Sequence, residues 1–243
     1  MANPTAAMLV IGDEILSGRT RDSNMHHLAG KLTEAGINLT EVRMVADDRT
    51  AIVEEVKALA RKHDHLFTSG GIGPTHDDIT ADCVAEAMGA SIDVRQDARG
   101  ILQAHYDRQG IEMNEARLRM ARIPDDATLI DNPISAAPGF TIGNVHVMAG
   151  VPAIFEAMVA SILPTIAGGN PVLSENVRID RAEGDIAARL SELAREFANL
   201  SFGSYPFRQN GRYGANVVIR GTEPQQINHA AAQLRAAFGD DAS

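Results

Sequence analysis

The chain has 243 residues, 44% of them hydrophobic and 22% charged, which is enough for one large and one small domain and excludes an intrinsically disordered protein. Its formal net charge of −10 argues against nucleic-acid binding, and its single cysteine, Cys83, excludes a disulfide framework or a cysteine-based zinc site. Because the sequence shows neither a signal peptide nor an apolar stretch of about 18 residues, we expect a cytoplasmic protein without a membrane span.

Strand and helix patterns alternate in the first third of the chain. Short apolar runs predict three strands, and one-sided apolar spacing predicts a helix after each of them. The strands are expected at 6–11, 37–45 and 66–69, and the helices at 25–35, 52–60 and 79–88. This βαβαβα order predicts an α/β fold with a parallel sheet, right-handed crossovers and helices on both faces. In such a sheet, ligands bind at the edge where the strands end.

The middle of the chain is less regular. Helical spacing returns at 97–109 and 114–120, a strand is predicted at 128–131, and two strand-like runs flank the turn dipeptide Gly143-Asn144. We expect this hairpin to form an antiparallel flap beside the parallel sheet. A further helix is predicted to begin within 149–158, with Pro152 in its first turn.

The breakers Gly-Gly-Asn-Pro at 168–171 predict a domain boundary, with one domain at 1–168 and a second at 172–243. For the second domain we predict the order βαββα, a small α+β fold whose first helix is capped by Asp185. Its strands are expected at 177–179, 205–207 and 216–219, and its helices at 186–197 and 227–238.

The strongest functional signal is the segment 70–80, GGIGPTHDDIT, which directly follows the third predicted strand. Its glycines allow backbone N–H groups to approach a phosphate, and the carboxylates of Asp77 and Asp78 are suited to a cation. No lysine follows the last glycine, which excludes a GxxxxGK[ST] phosphate loop. The alternative is an ordinary loop in which an aspartate caps the next helix.

Two further acidic pairs also follow predicted strands. Asp13-Glu14 comes after the first strand, and Asp47-Asp48 comes after the second. All three acidic pairs are therefore expected at the same edge of the sheet. Within them, we predict that Asp48 and Asp77 are helix caps rather than ligands.

Other reactive residue types receive structural interpretations. Cys83 is interpreted as a core residue, and the histidines as surface or hydrogen-bonded groups, with His76 left open as an anion contact. The GRYG segment at 211–214 has the spacing of the GxxG loop of KH domains, but it falls between two predicted strands, so we interpret it as a hairpin turn. A serine hydrolase is not expected, because neither Ser17 nor Ser135 has a His and an Asp at interpretable spacing.

Five motifs, taken in order, carry a family resemblance. They are GDEILSGRTRDSN at 12–24, VADD at 45–48, GGIGPTHDDIT at 70–80, SAAPGF at 135–140 and GVP at 150–152. They resemble the MoaB/Mog, or molybdopterin-binding, family and are most similar to the amino-terminal part of CinA-type competence/damage-inducible proteins. The tail from Val172 resembles the small linking domain of CinA proteins. The sequence does not show the amidase domain of full-length members, so deamidation of nicotinamide mononucleotide is not expected.

The resemblance implies a three-layer α/β fold with a mostly parallel sheet, assembly into a homo-oligomer (trimer or dimer), and a pterin or a nucleotide diphosphate as small-molecule ligand. It also implies that Asp47 and Asp78 act in catalysis and hold a divalent cation, Mg²⁺ or a similar ion, with molybdopterin as one candidate ligand. The phosphate- and ligand-binding residues implied in the same way are Gly12, Asp13, Gly70, Gly71, Gly73, Thr75, Ser135, Pro138, Gly139, Gly150 and Pro152.

Three functions remain open. Attack by water on a diphosphate gives a pyrophosphatase of the ADP-ribose type, an activity that the resemblance to CinA implies. This hydrolysis is favoured, because the tail is CinA-like as well. Attack by a molybdopterin phosphate gives adenylyl transfer in molybdenum cofactor biosynthesis, and without catalysis the domain is a pterin- or nucleotide-binding module.

Overall fold

The structure is a computed structural model that describes residues 3–209 and 211–242. The chain folds into two compact units that divide between Gly169 and Asn170. Two hydrophobic clusters form the core of the first unit, and a third forms the core of the second. Within the described residues, no helix has both the length and the apolar character that a membrane crossing requires.

Most strands of the first unit belong to one sheet. The strands are β1 (Thr5–Ile11), β2 (Asn38–Val45), β3 (His65–Ser69), β4 (Ile92–Val94), β5 (Arg122–Pro124), β6 (Thr128–Ile130), β7 (Gly139–Ile142) and β8 (Val145–Met148). The six-stranded sheet has the order β2-β1-β3-β8-β7-β6. β1 pairs in parallel with β2 and β3, and β3 with β8, whereas β7 is antiparallel to both of its neighbours. The predicted mostly parallel sheet is confirmed.

Helices cover both faces of this sheet. They are α1 (Asp13–Leu16), α2 (Asn24–Glu34), α3 (Arg49–Lys62), α4 (Thr80–Met88), α5 (Gln96–Gln109), α6 (Glu115–Arg119) and α7 (Pro152–Ile162). Successive side chains of β1 point to opposite faces, so that Leu9 enters one core and Met8 the other. α3, α4 and α5 pack on the Leu9 face, and α2 and α7 pack on the Met8 face. The predicted three-layer sandwich is confirmed, and burial on both faces explains why β1 is apolar from Ala6 to Ile11.

The hairpin of β7 and β8 is not a flap, so that prediction was wrong. β8 lies beside β3 within the parallel part of the sheet, with Val145 opposite Leu66. The tight turn at Gly143, with a φ of 57°, is visible in the neighbouring residues of the sequence. The pairing of β8 with the distant strand β3 is not encoded locally, so it could not be predicted. The strands β4 and β5 form a separate two-stranded sheet that was not predicted, because three residues carry too little periodicity.

The second unit has the predicted βαββα order. It consists of β9 (Leu173–Ile179), α8 (Glu183–Glu196), β10 (Ser201–Gln209), β11 (Arg212–Gly221) and α9 (Pro224–Phe238). The sheet has the order β10-β11-β9 and is antiparallel throughout. α8 and α9 pack on one face of it, through Ile186 and Leu234 among others. Residues 211–214 lie in the hairpin of β10 and β11, as predicted.

The predicted helix caps are only partly confirmed. Asp48 is the N-cap of α3 and accepts a hydrogen bond of 2.8 Å from the backbone N of Ala51. Asp77 is not a cap, since the N-cap of α4 is Ile79, and Asp185 lies inside the first turn of α8. Both predictions were wrong because apolar spacing locates a helix without fixing its first residue.

Candidate functional site

A cleft of about 520 Å³ lies at the carboxyl edge of the parallel strands. Residues just beyond β1, β2, β3 and β8 border it, namely Gly12, Asp47, Gly70 and Gly150. Its volume is in the range of small-molecule sites. Its position is the one at which open α/β sheets bind their ligands.

The loop after β3 depends on two glycines. Gly70 and Gly71 have φ values of 107° and 69°, in the region that favours glycine. A Cβ at Gly70 would lie 2.2 Å from the carbonyl oxygen of Ile11, and one at Gly71 would lie 2.1 Å from Oγ1 of Thr80. The Gly70 N–H donates to the Met148 oxygen, and the Thr80 N–H donates to the Gly71 oxygen. These contacts bring the loop backbone close to the ends of β1 and β8 and to the start of α4.

Gly73 has a different role. Its φ is not positive, and a Cβ at this position would lie 2.6 Å from Oδ2 of Asp78. The same oxygen accepts hydrogen bonds from the backbone N (2.8 Å) and from Oγ1 (2.6 Å) of Thr75. Asp78 therefore closes the loop, and the absence of a side chain at Gly73 leaves room for its carboxylate in the cleft wall.

Negative charge is concentrated in the cleft. Glu14, Asp47, Asp77 and Asp78 line it, and no Lys or Arg is found among the described lining residues. Burial raises the pKa of Asp47 above its ordinary value. A hydrogen bond of 3.0 Å from the Asp13 N–H opposes this shift, whereas the charges of Asp13, Glu14 and Asp77 add to it. The Asp47 carboxylate therefore lies in an environment that favours an added positive charge.

These carboxylates fit a cation that is shared with a ligand. Across residues 3–209 and 211–242, no three His, Cys, Asp or Glu side chains are placed to hold a metal ion by themselves. Mg²⁺ is usually bound by one or two carboxylates together with substrate phosphates and water. Asp47 and Asp77 both line the cleft, and the charge of Asp77 adds to the unfavourable environment of the ionised Asp47, so these two carboxylates are the candidates for such a pair. Oδ2 of Asp78 accepts two hydrogen bonds from Thr75, and hydrogen bonding to Thr75 also lowers the pKa of Asp77.

Asn132 organises the part of the cleft that follows β6. Its Oδ1 accepts hydrogen bonds from the backbone N of Ile134 and of Ser135, and its Nδ2 donates to Oγ of Ser135 and to the Ala137 oxygen. These bonds hold Ala136 at a φ of 62°, a conformation that costs a non-glycine residue about 1 kcal/mol. Asn132 was not predicted as a site residue, although Asn-Pro is a turn signal that points to such a role.

Asn24 connects the β8–α7 segment to the end of β3. Its Nδ2 donates to Oγ of Ser69 and to the carbonyl oxygen of Gly150, both at 2.8 Å. The side chain is buried, and Gly150 lies so close to the glycine loop that its Cβ would be 3.2 Å from Cα of Gly70. Asn24 was not predicted either. Its place as the last residue of the first motif was the available signal.

The structure brings most of the residues implied by the resemblance to this cleft. Those in the lining are Gly12, Asp47, Gly70, Gly71, Gly73, Asp78, Ser135, Gly150 and Pro152. Asp13 and Thr75 are not in the lining, but they hold Asp47 and Asp78 through hydrogen bonds. Pro138 lines a smaller adjoining cavity, and Gly139 is buried at the start of β7. Ligand contact by any of these residues stays a prediction.

Several lining residues were not predicted as ligand contacts. Apolar members carry no signal, because in a sequence they look the same as core residues. Asp77 was interpreted as a cap and Glu14 was named only as part of an acidic pair. The lining residues missed are Ile11, Glu14, Thr20, Ile72, Pro74, Asp77, Met120, Asn132, Ala137, Ala149, Val151 and Ile154.

The reactive residues outside the cleft have structural environments, as predicted. His63 is buried with hydrogen bonds at both ring nitrogens, and Cys83 is fully buried, which raises its pKa to about 11. Nδ1 of His65 lies 3.2 Å from Nε2 of His146, whose pKa is lowered by burial to about 3. The His76 side chain is 99% exposed and is not part of the cleft lining.

The sandwich has its glycine loop and carboxylates at the ends of parallel strands, which is where α/β domains bind ligands. Residues 7–168 match the model of the family described as "probable molybdopterin binding domain", and the chain belongs to that family. Residues 171–243 match the family described as "FAD synthase, middle domain". The motifs had indicated the first family but not the second.

Individual proteins show the same relationships. A probable FAD synthase of Caenorhabditis elegans is 31% identical over 95% of this chain and 49% of its own length, and a Pyrococcus abyssi protein is 34% identical over 91% of this chain and 92% of its own length. The chain thus spans about half the length of the FAD synthases that it matches. A crystal structure of CinA from Thermoplasma acidophilum, described as of unknown function, is 30% identical with a TM-score of 0.61, over 66% of this chain and 98% of that one. The predicted similarity to CinA is confirmed.

Proposed function

We propose that the first unit hydrolyses the diphosphate bond of a nucleotide of the ADP-ribose type. The observation that carries this proposal is the meeting of two conformationally required glycines, Gly70 and Gly71, with the partly buried carboxylate of Asp47 in one cleft. Backbone N–H groups that approach an anion and carboxylates that attract a cation are the two complementary parts of a metal–diphosphate site.

In this reaction the oxygen of a water molecule forms a bond to one phosphorus atom, and the bridging P–O bond breaks. ADP-ribose and water give AMP and ribose 5-phosphate. Backbone N–H groups of the segment that follows Gly70, residues 71–73, hold phosphate oxygens, since those of Gly70 and Thr75 already donate within the fold. Asn132 keeps the facing segment in place. When bound by Asp47 and Asp77, a divalent cation supplies positive charge at the diphosphate oxygens.

Similar proteins support a nucleotide as the ligand. The second unit matches a domain of FAD synthase, and two relatives, from Caenorhabditis elegans and Caenorhabditis briggsae, are described as probable FAD synthases. FAD, like ADP-ribose, contains an adenosine diphosphate group joined to a second moiety. We therefore place FAD beside ADP-ribose among the candidate substrates.

The name of the first family favours a second candidate function. A molybdopterin-binding domain that places a pterin phosphate against a nucleotide transfers an adenylyl group instead of hydrolysing the diphosphate. The same cleft without chemistry would be a pterin- or nucleotide-binding module. Hydrolysis and adenylyl transfer differ in which oxygen attacks the phosphorus, so their products distinguish them, whereas a binding module forms no product.

The test is a substrate screen with the purified chain. ADP-ribose, FAD, NAD and ATP are incubated with Mg²⁺, Mn²⁺ or EDTA, and the products are separated by chromatography. Hydrolysis predicts AMP from ADP-ribose or FAD, with loss of product in EDTA. Absence of turnover for every diphosphate, with tight binding of molybdopterin, would reject hydrolysis in favour of the pterin functions.

We expect the Asp78→Asn variant to lose turnover by tenfold or more while its fold is retained, a loss of about 1.4 kcal/mol or more in transition-state stabilisation. Asparagine keeps an oxygen for the Thr75 hydrogen bonds but removes the charge beside Gly73. Steady-state kinetics and circular dichroism measure the two properties. Full activity in a folded Asp78→Asn variant would remove Asp78 from the site.

For Gly73→Ala we expect weaker ligand binding, by about tenfold, with a Tm within about 2 °C of the parent. The added methyl displaces the Asp78 carboxylate but requires no strained backbone, because φ is not positive. Calorimetric titration with ADP-ribose and Mg²⁺ gives the affinity. The matched control is Gly100→Ala in α5, where a Cβ meets no atom within 4 Å. Equal affinities in the two variants would mean that Gly73 has no part in binding.

A further inference from the structure

The three-stranded sheet of the second unit has one face that its helices do not cover. α8 and α9 pack against the face that contains Val177, Val217 and Ile219. Alternate residues of the same strands point the other way. We call this second side the open sheet face, and it includes Asn176 and Arg178 of β9, Tyr205 and Phe207 of β10, and Asn216 and Arg220 of β11.

The open sheet face is cationic, although the chain as a whole is acidic. Residues 170–243 contain eight Arg and nine Asp or Glu, so this part of the chain is nearly neutral. Arg178, Arg212 and Arg220 point to the open face, and none of the described strand residues that do so is an Asp or a Glu. Arg178 has a carboxylate partner just beyond β9, Asp180, which accepts a hydrogen bond from its Nε. The net charge of −10 is therefore no argument against an anionic ligand on this face.

Two planar groups lie on the open sheet face, each beside a glycine. A Cβ at Gly203 would lie 3.0 Å from the Tyr205 ring, and a Cβ at Gly214 would lie 2.3 Å from the Phe207 ring, so the glycines leave room for the rings. The Arg178 guanidinium stacks over Phe207 at 4.3 Å from the ring centroid.

Hydrogen bonds hold the Arg178 guanidinium and the Tyr205 ring in position. Nη2 of Arg178 donates to Oε1 of Gln209, and Nη2 of Arg220 donates to the Tyr205 hydroxyl at 3.3 Å. Tyr205 as a residue is nevertheless 48% exposed. The face thus presents an aromatic ring and a guanidinium plane, the two surfaces on which unpaired bases stack.

We propose that the open sheet face binds single-stranded nucleic acid. Arginines that neutralise phosphates, planar groups that stack bases and asparagine amides are the chemistry of such surfaces. Tyr205 and Phe207 are two residues apart on one β-strand, about 6.6 Å, so neighbouring bases can reach the Tyr205 ring and the Arg178 guanidinium that stacks over Phe207. Small-molecule sites are concave, whereas a sheet face covers only one side of a small ligand. A single-stranded nucleic acid makes several contacts along such a face, so it fits better than a free nucleotide.

The experiment measures fluorescence anisotropy of labelled oligo(U) and oligo(dT), about 12 nucleotides long, with the full chain between about 50 and 200 mM salt. We expect binding to at least one of the two oligonucleotides. The one with the higher affinity identifies the ligand as RNA or DNA. Tyr205→Ala should weaken binding by about fivefold or more. Tyr213→Ala is the matched control, because Tyr213 is 60% exposed and points to the opposite side of β11.

A charge variant tests the same surface independently. Arg220→Gln should reduce the slope of log affinity against log salt by about 0.7, whereas Arg195→Gln on α8 should leave it unchanged. Tyr205→Phe keeps the ring and should retain binding. Three results would each overturn the proposal. They are the absence of binding to either oligonucleotide at low salt, an equal loss of affinity in Tyr205→Ala and Tyr213→Ala, and displacement of the oligonucleotide by equimolar AMP. Diphosphate hydrolysis is expected to be unchanged in all of these variants, so this test is independent of the function proposed for the first unit.

Discussion

Replacing Asp47 with asparagine is expected to lower diphosphate turnover by about 10²- to 10³-fold and, at the same time, to raise stability at neutral pH. Turnover falls because the carboxylate needed for the cation is lost. Stability rises because burial and the charges of Asp13, Glu14 and Asp77 disfavour the ionised Asp47 in the fold. Asparagine keeps an acceptor oxygen for the Asp13 N–H without the charge. A stability gain that accompanies lost activity is typical of a functional site.

The pH dependence follows from the direction of the pKa shift. Because the pKa of Asp47 is higher in the fold than in the unfolded chain, the folded state binds more protons, and stability falls as pH rises through the interval between the two values. The Asp47→Asn variant has no titrating group at this position, so it does not lose this stability as the pH rises. Its Tm should exceed that of the parent by roughly 2 °C at pH 7, and the difference should vanish below about pH 4.

Mg²⁺ and a control variant complete this test. Mg²⁺ with ADP-ribose should raise the Tm of the parent but not of Asp47→Asn, because only the parent binds the cation. Asp64 is the contrasting control: its carboxylate accepts hydrogen bonds from the backbone N and Oγ1 of Thr5, and these lower its pKa. Asp64→Asn should lose stability at pH 7 and keep full turnover. A destabilised but active Asp47→Asn variant would contradict the assignment.

The second large effect is expected for Gly70→Ala, which should lower the free energy of unfolding by about 3 kcal/mol and abolish ligand binding. Alanine must adopt a φ of 107°, and its Cβ would lie 2.2 Å from the backbone oxygen of Ile11. That oxygen belongs to β1, which is paired on both sides and cannot move aside. Urea unfolding and calorimetric titration measure the two quantities.

Gly89→Ala is the matched control for Gly70→Ala. Gly89 ends α4 with a φ of 70°, and a Cβ there meets no atom within 4 Å. The substitution therefore carries the backbone cost alone, about 1 kcal/mol, and should leave ligand binding unchanged. If Gly70→Ala is no more destabilising than Gly89→Ala, the close approach of the loop to β1 is not what requires glycine at position 70.

The functional elements differ in how far they could be predicted. The glycine loop and the acidic pairs were visible because each follows a strand in the sequence, and Gly71 has the positive φ that such a loop allows. Gly73 looks the same in the sequence, yet its φ is not positive and its role is to accommodate Asp78. The contribution of Asn24 depends on Ser69 and Gly150, which are far from it in the chain. No local pattern encodes a contact of that kind.

The sequence by itself determined the order of strands and helices and the family of the first unit, since periodicity, turn residues and ordered motifs are local properties of the chain. The tertiary structure alone decided that β8 joins the parallel sheet beside β3, that Asp77 lines the cleft instead of capping α4, and that Arg178 stacks on Phe207. The physical reason is that these features depend on packing between residues distant in the chain. Such packing sets burial, backbone strain and the sum of nearby charges, and none of these is a property of a short segment.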